Sequence, residues 1–316
     1  MKRGLLMTLF VTGATGLVGT RLLPRLVAAG IDVRALVRAG KTLPEGVAPV
    51  HGDILEPDSL AGALEGVTDV LHMAAVLRTP DADTIRRVNV EGTRTLLDAV
   101  RAQAPGARFL LASTSLVYGQ GRTRPAREDD PTTAEAPYPA TKLLAEALVR
   151  KSGLNWSVLR FGFVYGEGDG HLESLPGLAA SWKTHPAQAH SLVHHRDIAG
   201  AVRLALTGAM DGRTVNLVDE APVTTYEAAA LVGAEYPPSA EPLEDPWNGR
   251  TDGGLLRSLG YVARVPTVRR GGARGAALSR RASSGTGSGG RGLRARRAQG
   301  QTIARSSLSA ARRSVS

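Results

Sequence analysis

"TGATGLVG", residues 12–19, follows the apolar run LLMTLFV (5–11) and opens the amphipathic stretch GLVGTRLLPRLVAAG (16–30). That succession reads as a buried strand, a tight turn and a helix that stops at Gly30. Gly13 permits the turn, Gly16 lets backbone approach a pyrophosphate, and Gly19 lets the helix pack closely on the strand. Thr15, Leu17 and Val18 complete the loop. The first N–H groups and the positive dipole end of the helix would face the phosphates. A glycine-rich turn without a ligand has the same composition; the position at the first strand–helix junction is what favours the dinucleotide reading.

Outward from that loop, short apolar runs alternate with helical ones. Strands are expected in DVRALVR (32–38), APVHGDI (48–54), VTDVLHMAAV (67–76), ARFLLASTS (107–115) and, as one continuous sixth strand, WSVLRFGFVYG (156–166). Helices are expected in PDSLAGALEG (57–66), RRVNVEGTRTLLDAVRAQ (86–103) and YPATKLLAEALVRKSG (138–153). The alternation predicts an α/β chain with a doubly wound parallel sheet, and ligands at the carboxyl ends of the strands where strand order reverses. Strand two bears on cofactor choice. Asp32 stands at its beginning, too early to reach a ribose, whereas Arg38 at its end could pair with a 2′-phosphate. Arg34 shares its alternation phase. NADP is favoured over NAD.

The 316 residues, 42% of them hydrophobic, are enough for a real core. There is no cysteine, which removes disulfides and thiolate metal sites and fits a reducing cytoplasm. Two charges followed by an apolar run at the N-terminus superficially resemble a signal peptide, but no small-residue cleavage site follows. No stretch approaches the ~18 apolar residues that a membrane helix needs. Net charge is +10, yet twelve arginines and no Asp, Glu or Lys lie from Arg269 onward, so residues 1–268 carry −2. The tail, 269–316, reads as disordered, able at most to bind phosphate backbones non-specifically. Its abrupt composition also resembles translation in a shifted frame of GC-rich DNA. A small molecule is the expected partner, with no specific nucleic acid, no membrane, and a homodimer as candidate assembly.

Several ordered motifs resemble the extended short-chain dehydrogenase/reductase group, the NAD-dependent epimerase/dehydratase family: TGATGLVG, GDI (52–54), HMAA (72–75), NVEGT (89–93), STSLVYG (113–119), YPATK (138–142), RFGFVYG (160–166) and VHHRDIA (193–199). The resemblance implies a Rossmann domain over 1–165, a smaller substrate lobe over 166–268 with segments returning to the core, a nicotinamide cofactor and a Ser/Thr–Tyr–Lys catalytic set. By position it implies that Asp53 and Ile54 flank the adenine, that Ala74 and Ala75 line the cofactor, and that Asn89 sits at the cofactor and braces the active-site helix. It puts Tyr138, Lys142 and Thr114 in the catalytic roles, with Ser115 as the alternative hydroxyl.

The residues give an independent account of the pair. Tyrosine titrates near ~10, and a nearby ammonium should lower that value and make the phenol a usable acid–base group. Positions i and i+4 share a helix face, and lysine can also donate to ribose hydroxyls. Six tyrosines and five lysines in the chain would produce Y-x-x-x-K by chance only about 0.1 times. Alternation puts Ser113 and Ser115 on one side of strand five and Thr114 on the other. The expected activity is hydride transfer between a nicotinamide and a carbonyl or hydroxyl carbon of a small molecule. The alternatives are a nucleotide-sugar epimerase or dehydratase, and a non-catalytic NADP-binding sensor or scaffold. His190, His194 and His195 lack accompanying carboxylates at ligand spacing, so no metal site is expected. Asp197 should cap the helix IAGAVRLAL (198–206), and GEGDGH (166–171) reads as a loop that either closes on substrate or is simply mobile. Arg160-Phe161 replaces the Arg-Pro common in the family, and the sequence after RSLGYVARVPTVRRGG (257–272) departs from the helical ending expected there.

Overall fold

The computed structural model describes residues 7–269; the tail expectation for 270–316 lies outside the described residues. The first strand, β1 (Thr8–Thr12), is buried along its whole length, followed by α1 (Gly19–Ala28). Then come β2 (Asp32–Val37), β3 (Val47–His51), β4 (Asp69–His72), a short α2 (Ala82–Arg86), α3 (Gly92–Gln103), β5 (Arg108–Thr114), α4 (Pro137–Arg150) and β6 (Asn155–Phe161). The chain continues through β7 (Phe163–Tyr165), α5 (His171–Ser181), β8 (Ala189–His190), β9 (Leu192–His194), α6 (His195–Leu206), β10 (Arg213–Leu217), β11 (Val223–Thr224), α7 (Thr225–Leu231) and α8 (Gly254–Ser258).

Seven strands form one sheet in the order β10-β6-β5-β4-β1-β2-β3, and every pair in it is parallel. Apolar side chains point to both faces, as a sheet buried on both sides requires. Leu9, Val11, Leu22, Leu26, Ile198 and Val202 pack α1 and α6 on one face. Phe10, Leu96, Val100, Ala145 and Val149 pack α3 and α4 on the other. Strand order reverses between β1 and β4, which places the loops after those two strands side by side at the binding edge. Beyond β6, two small strand pairs, β7 with β9 and β8 with β11, form a minor layer with α5 and α7, while α6 and β10 return to the main sheet.

Three expectations need correction. PDSLAGALEG forms only one tight helical turn, Pro57–Leu60, because Gly62 and Gly66 take left-handed φ of 71° and end it. The sixth strand is two strands broken at Gly162. A Cβ there would lie 2.5 Å from the Ser191 carbonyl oxygen, so the chain can turn away from the main sheet only with glycine at that point. Asp197 does not cap α6. His194 does, accepting from the Arg196 N–H at 3.1 Å, while Asp197 Oδ1 accepts from the Arg264 N–H at 2.7 Å. Its carboxylate also takes the Val265 N–H. The chain at residues 264–265 is therefore tied to the start of α6, while the departure expected after residue 272 lies outside the described residues.

Candidate active site

The glycine loop has two distinct jobs. Gly13 has φ of 77°, and a Cβ on it would lie 2.7 Å from backbone atoms of Met73 and Ala74; a Cβ on Gly19 would lie 2.4 Å from the Gly13 and Ala14 carbonyl oxygens. Both positions exist so that backbone can touch backbone. Gly16 differs: a Cβ there meets only the Gly13 oxygen, at 3.3 Å, and the loop residues Thr15, Gly16 and Leu17 are exposed. Among the described residues no backbone carbonyl accepts from Leu17, Val18 or Gly19, whose N–H groups begin α1. A cradle without side chains, edged by unaccepted N–H donors at a helix start, fits a pyrophosphate.

Behind it lies a chain of buried hydrogen bonds. Thr12 Oγ accepts from the Ala74 N–H at 3.2 Å and meets His72 Nδ1 at 2.6 Å. His72 Nε2 meets Thr93 Oγ at 2.9 Å, and Thr93 donates to the Asn89 carbonyl at 2.7 Å. Burial, and then the charge of Lys142, push His72 down to about 3, so it is the neutral ring in this chain. Asn89, in a single π turn over Arg87–Glu91, is buried. Its Oδ1 accepts from Val76 N–H at 2.8 Å, and its Nδ2 donates to the Val76 carbonyl at 2.9 Å and to Thr141 Oγ at 3.1 Å. Thr141 in turn donates to the Tyr138 carbonyl at 2.8 Å. Asn89 thus ties the loop carrying Ala74 and Ala75 to the first turn of α4.

Pro137 begins α4, so Tyr138 falls in the first turn and Lys142 one turn later. Tyr138 is half-buried and Lys142 fully buried. The titration of the pair differs from the sequence expectation. Burial pushes Tyr138 up to about 12, and pushes Lys142 down to about 8. Burial sets the direction for each group, and neither offsets the other's shift in the protein alone. Among the described residues Lys142 donates to no acceptor. Thr114 is the last residue of β5; its Oγ accepts from Leu116 N–H at 3.2 Å. Alternation ends there, because Ser115 opens a tight turn, so Ser113 and Ser115 no longer share a strand face. Ser113 instead donates to the buried carboxylate of Glu146 at 2.6 Å.

The remaining positions fall as follows. Arg38 is exposed just past β2, with no side-chain partner among the described residues, while Arg34 donates to the Glu65 carbonyl at 2.8 Å. Asp32 accepts from the Thr8 hydroxyl. Asp53 accepts from Leu55 N–H at 2.9 Å, and Ile54 turns its side chain into the core against Gly92. Loop 166–171 is tied down: Glu167, at φ 59°, pairs with Arg25 and with Arg196 at 3.1 Å, and Asp169 pairs with the buried His195 at 2.8 Å. His190 meets Thr225 Oγ at 2.8 Å, so the three histidines serve separate partners. Sequence reasoning missed Glu146 and Arg160. The spacing of Tyr138, Lys142 and Glu146 by four was the available signal.

Residues 9–217 match the model of the NAD dependent epimerase/dehydratase family. A farnesyl-dihydroquinoline-oxide ketoreductase of Stigmatella aurantiaca is 33% identical over 287 residues, covering 83% of this chain and 85% of that protein. A 3-beta-hydroxysteroid dehydrogenase of Mycolicibacterium neoaurum is 29% identical over 252 residues, covering 70% and 68%. Among solved structures, a short-chain dehydrogenase/reductase superfamily protein from Agrobacterium tumefaciens with bound NAD has a TM-score of 0.73. It is 26% identical, and the match covers 88% of this chain and 98% of that one. The chain belongs to the NAD dependent epimerase/dehydratase family. It is an NAD(P)-dependent oxidoreductase of the extended short-chain dehydrogenase/reductase type. Among the described residues no helix is long and apolar enough to cross a membrane.

Proposed function

We propose that this enzyme interconverts a ketone and a secondary alcohol on a small, largely apolar molecule, with Tyr138 as proton donor and acceptor. The observation that carries this is the placement of Tyr138 and Lys142 on α4, fastened through Thr141 and Asn89 to the loop beside the glycine cradle. The cradle and Lys142 fit a nicotinamide dinucleotide, which when bound supplies or takes the hydride. Gly13, Thr15, Gly16, Leu17, Val18 and Gly19 would hold its pyrophosphate. Asp53 and the Ile54 backbone would border the adenine, with Ala74 and Ala75 along the ring and ribose. Lys142, an ammonium without an acceptor among the described residues, would donate to ribose hydroxyls.

Thr114 orients the substrate oxygen, and Tyr138 moves its proton. A phenol pushed up to about 12 holds its proton at neutral pH, so the resting protein is set to donate. A cation brought close to it lowers that value and opens the reverse direction. Substrate would enter between this edge and the lobe of residues 166–268. Leu77, five residues past β4, and Leu116, two residues past Thr114, are 46% and 60% exposed, and β4 and β5 are neighbours in the sheet. Bare leucines there favour an apolar substrate body, in line with the ketoreductase and hydroxysteroid dehydrogenase relatives. Turnover of a ketone panel and a nucleotide-sugar panel by wild type and Tyr138→Phe tests the reading. The variant should lose about 10²- to 10⁴-fold in kcat; undiminished turnover refutes the role of Tyr138. Activity confined to nucleotide sugars refutes the substrate class.

The same reading takes NADP as the preferred cofactor, because Arg38 and Lys41 are exposed past β2 without side-chain partners among the described residues. Arg38→Ala should weaken NADPH about tenfold, 1.4 kcal/mol, and leave NADH unchanged. A wild-type preference for NADH that survives the substitution removes the inference. A cytoplasmic enzyme and a homodimer complete the reading; light scattering of the full chain tests the latter.

A further inference from the structure

Glu146 takes no part in the chemistry above, yet it is fully buried and lies four residues beyond Lys142, as Lys142 lies four beyond Tyr138. The three therefore stand in file on one face of α4. Glu146 Oε1 accepts from Ser113 Oγ at 2.6 Å and Arg160 Nε at 3.0 Å; its Oε2 accepts from Arg160 Nη2 at 2.8 Å and Arg150 Nη2 at 2.7 Å. Arg160 lies in β6, opposite Ser113 in register, and is itself buried.

Among the described residues the charges around Lys142 are few. His72 faces it from β4 as a neutral ring, and Tyr138 and Glu146 flank it on its own helix. Beyond Glu146 stand the cations Arg150 from α4 and Arg160 from β6. One carboxylate thus serves three cations, two of which contact it directly. Burial pushes Lys142 down to about 8, and Glu146 is the influence that opposes the fall. Without that carboxylate, burial would act unopposed on the Lys142 ammonium and weaken its hold on the proton. The guanidinium groups of Arg150 and Arg160 would then stand on the same helix face and the facing strand with no anion between.

We propose that Glu146 is a positioning residue that keeps Lys142 protonated at neutral pH. The proposal rests on the assignment of Lys142 to the active site, and extends it to a group that touches neither substrate nor cofactor. A buried ion pair with Arg160 could serve stability alone, so the test must read the charge of Lys142.

The full chain has five lysines, few enough for each to be followed by NMR after selective 13C labelling, with Lys142 assigned by its loss in Lys142→Met. Glu146→Gln keeps the shape and an acceptor for Ser113 but removes the charge. Its Lys142 midpoint should fall by about one pH unit. Arg150→Gln removes a cation from the half-exposed end of the network and should move the midpoint upward. Because Arg150 lies at the surface, that variant remains informative if Glu146→Gln does not fold. The alkaline limb of kcat should move with the midpoint in each variant. Midpoints unmoved by Arg150→Gln, and by Glu146→Gln where it folds, would overturn the proposal. Retained turnover in Tyr138→Phe would instead overturn the catalytic assignment, and the lysine titration, which needs no turnover, keeps the two failures apart.

Discussion

Two glycines of one loop, Gly19 and Gly16, should respond differently to the same added methyl group. In Gly19→Ala the new Cβ would stand 2.4 Å from two backbone carbonyl oxygens, those of Gly13 and Ala14. Backbone atoms cannot swing aside as a side chain can, so β1 and α1 must separate. Overpacking of this kind costs about 1–3 kcal/mol, and the rigid partners put Gly19 at the upper end. At about 2–4 °C per kcal/mol for a chain of this size, the melting temperature should fall by roughly 6–12 °C. In Gly16→Ala the Cβ meets one oxygen at 3.3 Å and otherwise open space. Melting should move by no more than about 1–2 °C. The methyl group would nevertheless fill the place where backbone approaches the pyrophosphate. Dinucleotide affinity should therefore drop at least about tenfold, 1.4 kcal/mol. Gly30→Ala, with φ of 78° and nothing within 4 Å, serves as a control for conformation alone and should cost about 1 kcal/mol without touching affinity. Scanning calorimetry and calorimetric titration with NADPH and NADH read both quantities. A folded Gly16→Ala protein that binds dinucleotide as tightly as wild type would refute the cradle.

Two further variants probe the return of the chain to the core. Asp219 follows β10 with 7% exposure and, among the described residues, no partner for either carboxylate oxygen, and burial, with Asp197 and Glu220 nearby, pushes it up to about 8. Its value when unfolded is about 3.9, so the folded state holds the proton more tightly. The stability it permits is complete below about pH 4 and is lost as pH rises toward 8. Asp219→Asn should then melt above wild type by an amount that grows from pH 5 to pH 8, reaching on the order of 1–3 kcal/mol; an advantage independent of pH would show that Asp219 does not titrate there. Asp197→Ala leaves the Arg264 and Val265 N–H groups without their acceptor and should cost about 1–3 kcal/mol. Hydrogen exchange should localise the loss to residues 254–265; uniform loosening would contradict the tether.

The parallel sheet was legible because its signal is local. Each strand is a short apolar run, each helix has a one-sided pattern, and Gly13, Gly16 and Gly19 sit at the single junction where strand order reverses. Tyr138 and Lys142 were legible for the same reason, since four residues of helix put them on one face whatever lies opposite. What the sequence did not reveal depends on what lies opposite. The break at Gly162 is dictated by the Ser191 carbonyl, twenty-nine positions away in the chain. Asp197 has the spacing of a cap, but His194 occupies that role and leaves the carboxylate for Arg264 and Val265.

The titration of Tyr138 is the most instructive difference. Spacing alone sets an ammonium beside a phenol and predicts a lowered value. Burial acts on both groups at once, raising the phenol and lowering the amine, and it wins because neither finds, among the described residues, a hydrogen-bond partner that favours its charged form. The pair is thereby held as neutral phenol and marginal ammonium until something polar enters the cleft. Lys142 lacks an acceptor among the described residues, and hydroxyl groups brought against it would favour its charged form, which in turn lowers the cost of a phenolate four residues away. Acid–base competence then follows occupancy of the cradle. On this logic the proton-transfer pair is armed by the ligand that makes proton transfer useful, with Glu146 holding the lysine within reach of that change.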